Sequence, residues 1–195
     1  ADTFFGTIDG NGGNWFELLV IDDHVDMRGW QFTWTEDEDV GQNETAMGTI
    51  TLSNDLIWQD LRSGSILTLI ESANSDSENK TPTDISYDPL AGDWWINIST
   101  LEELAKGDSA LATTTTNDGD PGDFSVGKDD WTMTIKNASG STIFGPAGEG
   151  IGDDWEDGVD NEEGGSLEGP IPDPGSELTV ADWKAITPSS KFYDD

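Results

Sequence analysis

The chain has 195 residues, of which 41 are acidic and eight are basic, so its formal net charge is −33. Nucleic acids and anionic membrane surfaces are polyanions that repel such a chain, which argues against both as partners. Cysteine is absent, which excludes disulfides and thiolate metal sites. No apolar run approaches the roughly 20 residues that span a bilayer. The acidity fits divalent cations, basic partners or a saline medium, and equally a surface adapted only for salt or solubility.

The remaining composition favours a β protein with an aromatic core. Nine tryptophans and seven phenylalanines supply large apolar side chains, and 23 glycines accompany many Thr, Ser, Asn and Asp residues. This mixture suits short strands joined by turns better than long helices. A chain that opens at Ala1 without an initiator Met is typical of a mature product trimmed after a small-residue cleavage site, so we expect an extracellular or cell-surface location.

In chain order, the first two strands are predicted at Thr3–Asp9 and Asn14–Asp22. They flank a Gly10-Asn11-Gly12-Gly13 turn, which is a hairpin signal. The next strand, Trp30–Thr35, places its aromatic residues on one face. Further strands are predicted at 47–53, 65–71, 93–100, 131–135 and 142–144, with a short helical turn at 54–61. The best helix covers Ser99–Gly107, because it has a cap, early acids, a late Lys and a terminal Gly.

Seven or eight short strands predict an all-β fold, an immunoglobulin-like antiparallel β-sandwich with long acidic loops. Residues 72–91 and 113–127 are predicted to be irregular. The predicted sandwich domain spans residues 1–146. Residues 147–195 are predicted to form an acidic, Gly- and Pro-rich C-terminal extension, with too few apolar residues for a core of its own. We expect this extended tail to pack on the body or on a neighbouring subunit.

Catalytic signals are weak. His24, the only histidine, falls in a predicted turn, and neither a G-x-S-x-G nucleophile motif nor a set of zinc ligands accompanies it. We therefore interpret it as a surface histidine and expect no enzymatic activity. A carboxylate pair acting in glycoside hydrolysis is the remaining enzymatic alternative, but among 41 acids no particular pair is indicated.

Calcium is the ligand that the acidic clusters fit best. Ca²⁺ takes six to eight oxygen ligands, and alternating Asp and Gly supply carboxylates while letting the backbone turn. The cluster that starts at Asp153 is not an EF-hand, since Trp155 and Gly164 occupy the third and twelfth positions when Asp153 is counted as the first. The candidate ligands are Asp118, Asp120 and Asp123 in the first cluster, and Asp153, Asp154, Glu156, Asp157 and Asp160 in the second. A solvated acidic loop without a bound ion is the alternative for each.

The tryptophans divide between core and surface. The strand patterns place Trp15, Trp30, Trp34 and Trp131 in the core. Trp94 and Trp95 are adjacent on a predicted strand, so their rings must point to opposite faces. One of the two is expected in the core, and the other could stack on a sugar or seat a neighbouring chain.

Three segments together resemble the lamin-tail domain family, in the form found in secreted bacterial and archaeal proteins. Asn14-Trp15-Phe16-Glu17-Leu18 is similar to that family's W-[IV]-E-L strand. Val25-Asp26-Met27-Arg28-Gly29-Trp30 is similar to its V-D-L-S-G-W turn, and residues 131–143 are similar to its closing hairpin. The resemblance implies an immunoglobulin-like sandwich that serves as an accessory, adhesive or structural module and not as a catalyst.

Two functional hypotheses follow. The first is an extracellular or surface structural protein, a calcium-stabilised homo-oligomer or filament whose subunits associate through tail and edge-strand contacts. The second is a calcium-dependent adhesion module that binds a glycan or another surface polymer.

Overall fold

A computed structural model describes residues 14–37, 45–71, 82–117, 121–124 and 131–147, together with the backbone of residues 165–167 and 183–185. Within these ranges the structure contains ten strands and one α-helix. The strands are β1 (Trp15–Leu19), β2 (Gln31–Asp37), β3 (Thr45–Leu52), β4 (Ile66–Ile70), β5 (Trp95–Ser99), β6 (Ala112–Thr116), β7 (Thr132–Lys136), β8 (Thr142–Ala147), β9 (Gly165–Leu167) and β10 (Trp183–Ala185). The helix α1 covers Thr100–Lys106, and 3-10 turns cover Leu56–Trp58 and Gly107–Ser109.

Two sheets make up the body. The five-stranded sheet has the order β6-β3-β2-β7-β8, and all its described pairings are antiparallel. The three-stranded sheet has the order β1-β4-β5, with β1 antiparallel and β5 parallel to the central β4. Strands β9 and β10 form a separate antiparallel pair. The sheet-rich architecture confirms the predicted all-β class and is consistent with a β-sandwich.

The core lies between the two sheets because alternate residues of each strand point inward. Phe16 of β1 contacts Phe32 of β2 at 5.9 Å between ring centroids, and it meets Phe124 edge-on at 5.6 Å. Both sheets contribute further buried side chains to one cluster, including Trp34 and Leu67. Such tilted and edge-on aromatic pairs add to the stabilisation that area burial provides.

The predicted helix is confirmed, with its cap. Ser99 Oγ accepts a hydrogen bond from Glu102 N at 3.3 Å, and Gly107 ends the helix at a positive φ of 56°. Glu103 is fully buried, and its carboxylate accepts bonds from Leu111 N at 2.6 Å and Lys106 Nζ at 2.5 Å. The helix is therefore fixed to the chain that enters β6.

Two fold predictions are wrong in part. The sandwich is not antiparallel throughout, because β4 and β5 run parallel; a parallel pair needs a long crossover, and residues 71–94 supply it. Residues 113–127 are not irregular throughout, because β6 occupies Ala112–Thr116 and pairs with β3. Its run of threonines is β-branched and fits a pleated strand, which outweighed the turn-forming residues that follow.

The predicted division at residue 146 is not tested by the structure and stays a prediction; β8 ends one residue later, at Ala147. The predicted strand at Thr3–Asp9 and most of the C-terminal extension lie outside the described residues. Among the described helices, none is long and apolar enough to cross a membrane.

Candidate functional site

Only one of the predicted calcium ligands can be placed. Asp118, Asp120, Asp153, Asp154, Glu156, Asp157 and Asp160 lie outside the described residues. Asp123 is described, and its carboxyl group hydrogen-bonds that of Glu71 at the end of β4. Within the described ranges, no group of three or more His, Cys, Asp or Glu side chains is arranged to hold a metal ion. The calcium prediction for both clusters therefore stays a prediction.

The Glu71 carboxyl is held by groups on two segments. Its Oε2 accepts hydrogen bonds from Asn14 N at 3.1 Å and Asn14 Nδ2 at 2.9 Å, and Asn14 Nδ2 also donates to Phe124 O at 2.8 Å. Burial raises the pKa of Glu71 to about 7, and the neighbouring Asp123 carboxylate adds to this increase. The contact joins the start of β1 to the end of β4 and the loop after β6.

His24 lies in an exposed turn, as predicted. Its Nδ1 is 2.7 Å from Asp60 Oδ1, and its Nε2 is 3.5 Å from Asp23 Oδ2. Asp23 is itself paired with Arg62, with 2.5 Å between Nε and Oδ1, and this hydrogen bond lowers the pKa of Asp23 to about 2. His24 has a φ of 60°, which is unusual for a residue with a side chain. This network of exposed charges orders the turn before β2.

The tryptophan predictions are mixed. Trp34 is buried, and Trp30 and Trp131 are partly buried against the core. The placement of Trp15 in the core is wrong, because its side chain is 41% exposed while the adjacent Phe16 occupies the inward position. No strand pattern indicated Trp58 as a core residue, yet it is fully buried and donates from Nε1 to Leu111 O at 3.0 Å.

The Trp94-Trp95 pair does not divide into core and surface as expected. Trp94 is 39% exposed, and Trp95 is partly buried outside the hydrophobic core. Trp95 Nε1 donates to Thr68 Oγ1 at 2.8 Å, so the side chains of Trp95 and Thr68 lie together on the outward side of the three-stranded sheet. One indole therefore covers a buried hydroxyl on that side.

That outward side carries an apolar surface, here called the outer face and defined by Trp15, Leu19, Ile66 and Trp95. Leu19 is paired with Ile66 and Ile66 with Trp95, so the three form a row across the sheet, and Leu19 is 62% exposed. In an antiparallel pair such as β1 and β4, the side that faces away from the core is usually polar. Here Glu17 is the only charged residue at an outward position of the three strands. The sequence of β1 carries this signal, because Trp15 and Leu19 make its outward side apolar as well as its inward side.

A second apolar surface opens between the sheets, where β1 faces β7 and β8. This edge cleft has a volume of about 170 Å³ and is lined by Phe16, Glu17, Leu18, Trp131, Met133, Ile135, Phe144 and Ala147. Among the described lining residues, Glu17 is the charged one. The cleft thus combines an apolar interior with β1, the outermost described strand of its sheet.

Comparisons with protein-family models, with curated proteins and with solved structures found nothing that matches the chain.

Proposed function

We propose that the chain is a non-catalytic structural subunit of an extracellular or cell-surface assembly, in which copies associate through the outer face. The observation that carries this proposal is the row of Leu19, Ile66 and Trp95, flanked by the exposed Trp15, in a chain of net charge −33. Water-exposed apolar surface concentrated on one sheet face is typical of interaction sites.

Charge sets the conditions for this association. Two copies of net charge −33 repel each other, and salt shortens the range of that repulsion from about 8 Å at 0.15 M to about 3 Å at 1 M. Burying apolar side chains is favourable in both conditions. Association is therefore expected to strengthen with ionic strength, whereas a complex held by opposite charges would weaken.

Sedimentation velocity over protein concentration and NaCl tests the proposal. Leu19→Glu places a charge in the row and should leave a monomer under conditions in which the unchanged chain associates. Leu90→Glu is the matched control, because Leu90 is 97% exposed in the turn between β4 and β5, outside the outer face. A strict monomer for the unchanged chain at every salt concentration would refute assembly. Equal loss in both variants would refute the outer face as the interface.

We further propose the lamin-tail-like, immunoglobulin-like form of the sandwich. In support, the motif at Asn14–Leu18 overlaps β1 over residues 15–18, and the motif at Val25–Trp30 contains a turn in which Trp30 N donates to Met27 O at 3.1 Å. The segment similar to the closing hairpin contains β7 and the first two residues of β8, the strand with which β7 pairs. The parallel pairing of β4 and β5 is the feature that this proposal must accommodate. In the same proposal, the tail after residue 146 packs on the body or on a neighbouring copy.

Calcium-dependent glycan adhesion is the second candidate function. Trp15 and Trp94 are 41% and 39% exposed, and exposed indoles stack on sugar rings. A glycan array read with Ca²⁺ and with EDTA tests it. Signals that require Ca²⁺ and disappear in Trp15→Ala or Trp94→Ala would establish adhesion, and no Ca²⁺-dependent signal would remove it. The Glu71–Asp123 pair does not fit glycoside hydrolysis, because catalytic carboxyls stand about 5–9.5 Å apart and these two are hydrogen-bonded.

A further inference from the structure

The two sheets differ in width on the side where β1 lies. Among the described strands, β1 is the outermost strand of the three-stranded sheet and β8 is an outermost strand of the five-stranded sheet. The edge cleft lies between them, over the inward side chains of β7, and Phe144 on β8 remains 42% exposed. A cavity of about 150 Å³ holds one benzene ring. The volume of about 170 Å³ therefore suits one aromatic side chain.

The backbone of β1 presents hydrogen-bonding groups at its outer edge. Glu71 N donates to Asn14 O at 2.8 Å, and Val20 N donates to Ser65 O at 2.9 Å, so the even-numbered residues direct their groups towards β4. Successive residues of a strand direct these groups to opposite edges. The N–H and C=O groups of Glu17 and Leu19 therefore point towards the side on which another strand would pair.

We propose that residues 3–9 of the same chain pair with this edge of β1 as an additional antiparallel strand and seat Phe5 in the edge cleft. Residues 3–9 lie outside the described residues and are joined to β1 through Gly10-Asn11-Gly12-Gly13. Asn-Gly is the preferred centre of a two-residue type I′ hairpin turn. Only Asp9 is charged in the segment, which suits a cleft whose described lining is apolar except for Glu17.

The turn determines the register. With Asn11 and Gly12 at its centre, Gly10 faces Gly13 in a hydrogen-bonded pair, and the pairs then alternate along the strands. Gly6 consequently faces Glu17, and Phe4 faces Leu19, both in hydrogen-bonded pairs. This matches the direction in which Glu17 and Leu19 present their backbone groups. The direction of the β1 backbone groups is thus compatible with the register that the turn chemistry gives.

The register also separates the two phenylalanines. Phe5 faces Leu18, whose side chain lines the cleft, so both point between the sheets. Phe4 then points outward beside Leu19. Residues 3–9 of the same chain are favoured over those of another copy as the pairing strand. The four-residue connection to β1 gives them an effective concentration in the millimolar range. The inference is independent of assembly, since it holds equally for a monomer.

Cysteine cross-linking tests the pairing directly, because the natural chain has no cysteine. In Gly6→Cys with Glu17→Cys the two Cα atoms would be about 5.5 Å apart, which suits a disulfide. Thr7→Cys with Glu17→Cys is the matched control, because residue 7 would point to the opposite side. We expect a rapid intrachain disulfide only in the first variant at low micromolar concentration. A disulfide-linked dimer would overturn the assignment to the same chain, and equal cross-linking in both variants would overturn the register.

Substitution of the neighbouring phenylalanines provides the second measurement. Phe5→Ala should raise the equilibrium constant for unfolding roughly tenfold more than Phe4→Ala, because removal of a buried ring leaves a cavity. Equal effects of the two substitutions, with no intrachain disulfide in the 6/17 variant, would show that residues 3–9 do not occupy the cleft and would overturn the proposal. A monomeric chain that forms the 6/17 disulfide supports this inference while refuting the proposed assembly, so the two failures are distinguishable.

Discussion

Replacing Glu71 by Gln should remove a loss of stability that the natural chain undergoes between pH 5 and pH 8. The carboxyl of Glu71 is partly buried and faces Asp123, and these surroundings raise its pKa from 4.5 to about 7. Between these two pH values the folded state retains a proton that the unfolded state has released. The stabilisation is therefore fully present below pH 4.5 and is lost as the pH rises through 7.

The magnitude follows from the difference between the folded and unfolded pKa values. At about 1.4 kcal/mol per pH unit, a change from 4.5 to about 7 corresponds to about 3 kcal/mol. Glu71 keeps contact with solvent, which screens its interactions, so we expect about 1–2 kcal/mol. The amide of Gln stays neutral and its Oε1 can still accept from Asn14 N, so the variant should lack this loss.

Urea unfolding at constant ionic strength, from pH 5 to pH 8, measures the effect. Repulsion among the other acids also changes with pH, so the informative quantity is the difference between the natural chain and the variant. Glu17→Gln removes a carboxylate at an exposed position of β1 and serves as the control. If the free energy of unfolding of Glu71→Gln falls with pH as steeply as that of the natural chain, the proposed protonation of Glu71 is refuted.

Three further predictions concern buried hydrogen bonds and close packing in the body. Glu103→Ala should lower the free energy of unfolding by about 3–5 kcal/mol in chemical denaturation, because it leaves a buried backbone N–H without its acceptor; Glu103→Gln should cost less. Gly48→Ala should lower the thermal midpoint, at about 1–3 kcal/mol, because an added Cβ would lie 2.6 Å from the Trp34 ring. Trp95→Phe should cost about 1 kcal/mol in the same assay by removing the bond to the buried Thr68 hydroxyl, and an unchanged midpoint would contradict that role.

Local patterns predicted most of the strands because each strand has its own alternation of side chains. The helix was predictable for a similar reason, since Ser99 and Gly107 mark its ends within nine residues of sequence. Strand β6 was missed because its threonines precede a turn-rich stretch, and only pairing with β3 distinguishes it from a loop. The parallel β4–β5 pair depends on the crossover of residues 71–94, which no local pattern specifies.

The candidate surfaces were harder to predict than the strands. Trp15 was assigned to the core because a large aromatic in a strand is usually buried, yet alternation permits only one of Trp15 and Phe16 to point inward. The contact of Asp123 with Glu71 joins residues 52 positions apart and could not be derived from the acidic cluster around Asp123. Predictions based on residue type alone therefore found the acids and aromatics but not their partners.

The two apolar surfaces are linked by the alternation of side chains along a strand. If residues 3–9 pair with β1 and Phe5 fills the edge cleft, Phe4 and Ile8 must point outward, beside Leu19 and Trp15. Filling the cleft with Phe5 would then add Phe4 and Ile8 to the outer face. The apolar surface buried in the cleft would be offset by new apolar surface exposed on the outer face. A chain that needed only to close its own cleft could carry polar residues at positions 4 and 8. Their apolar character favours an outer face that is covered in turn by another copy.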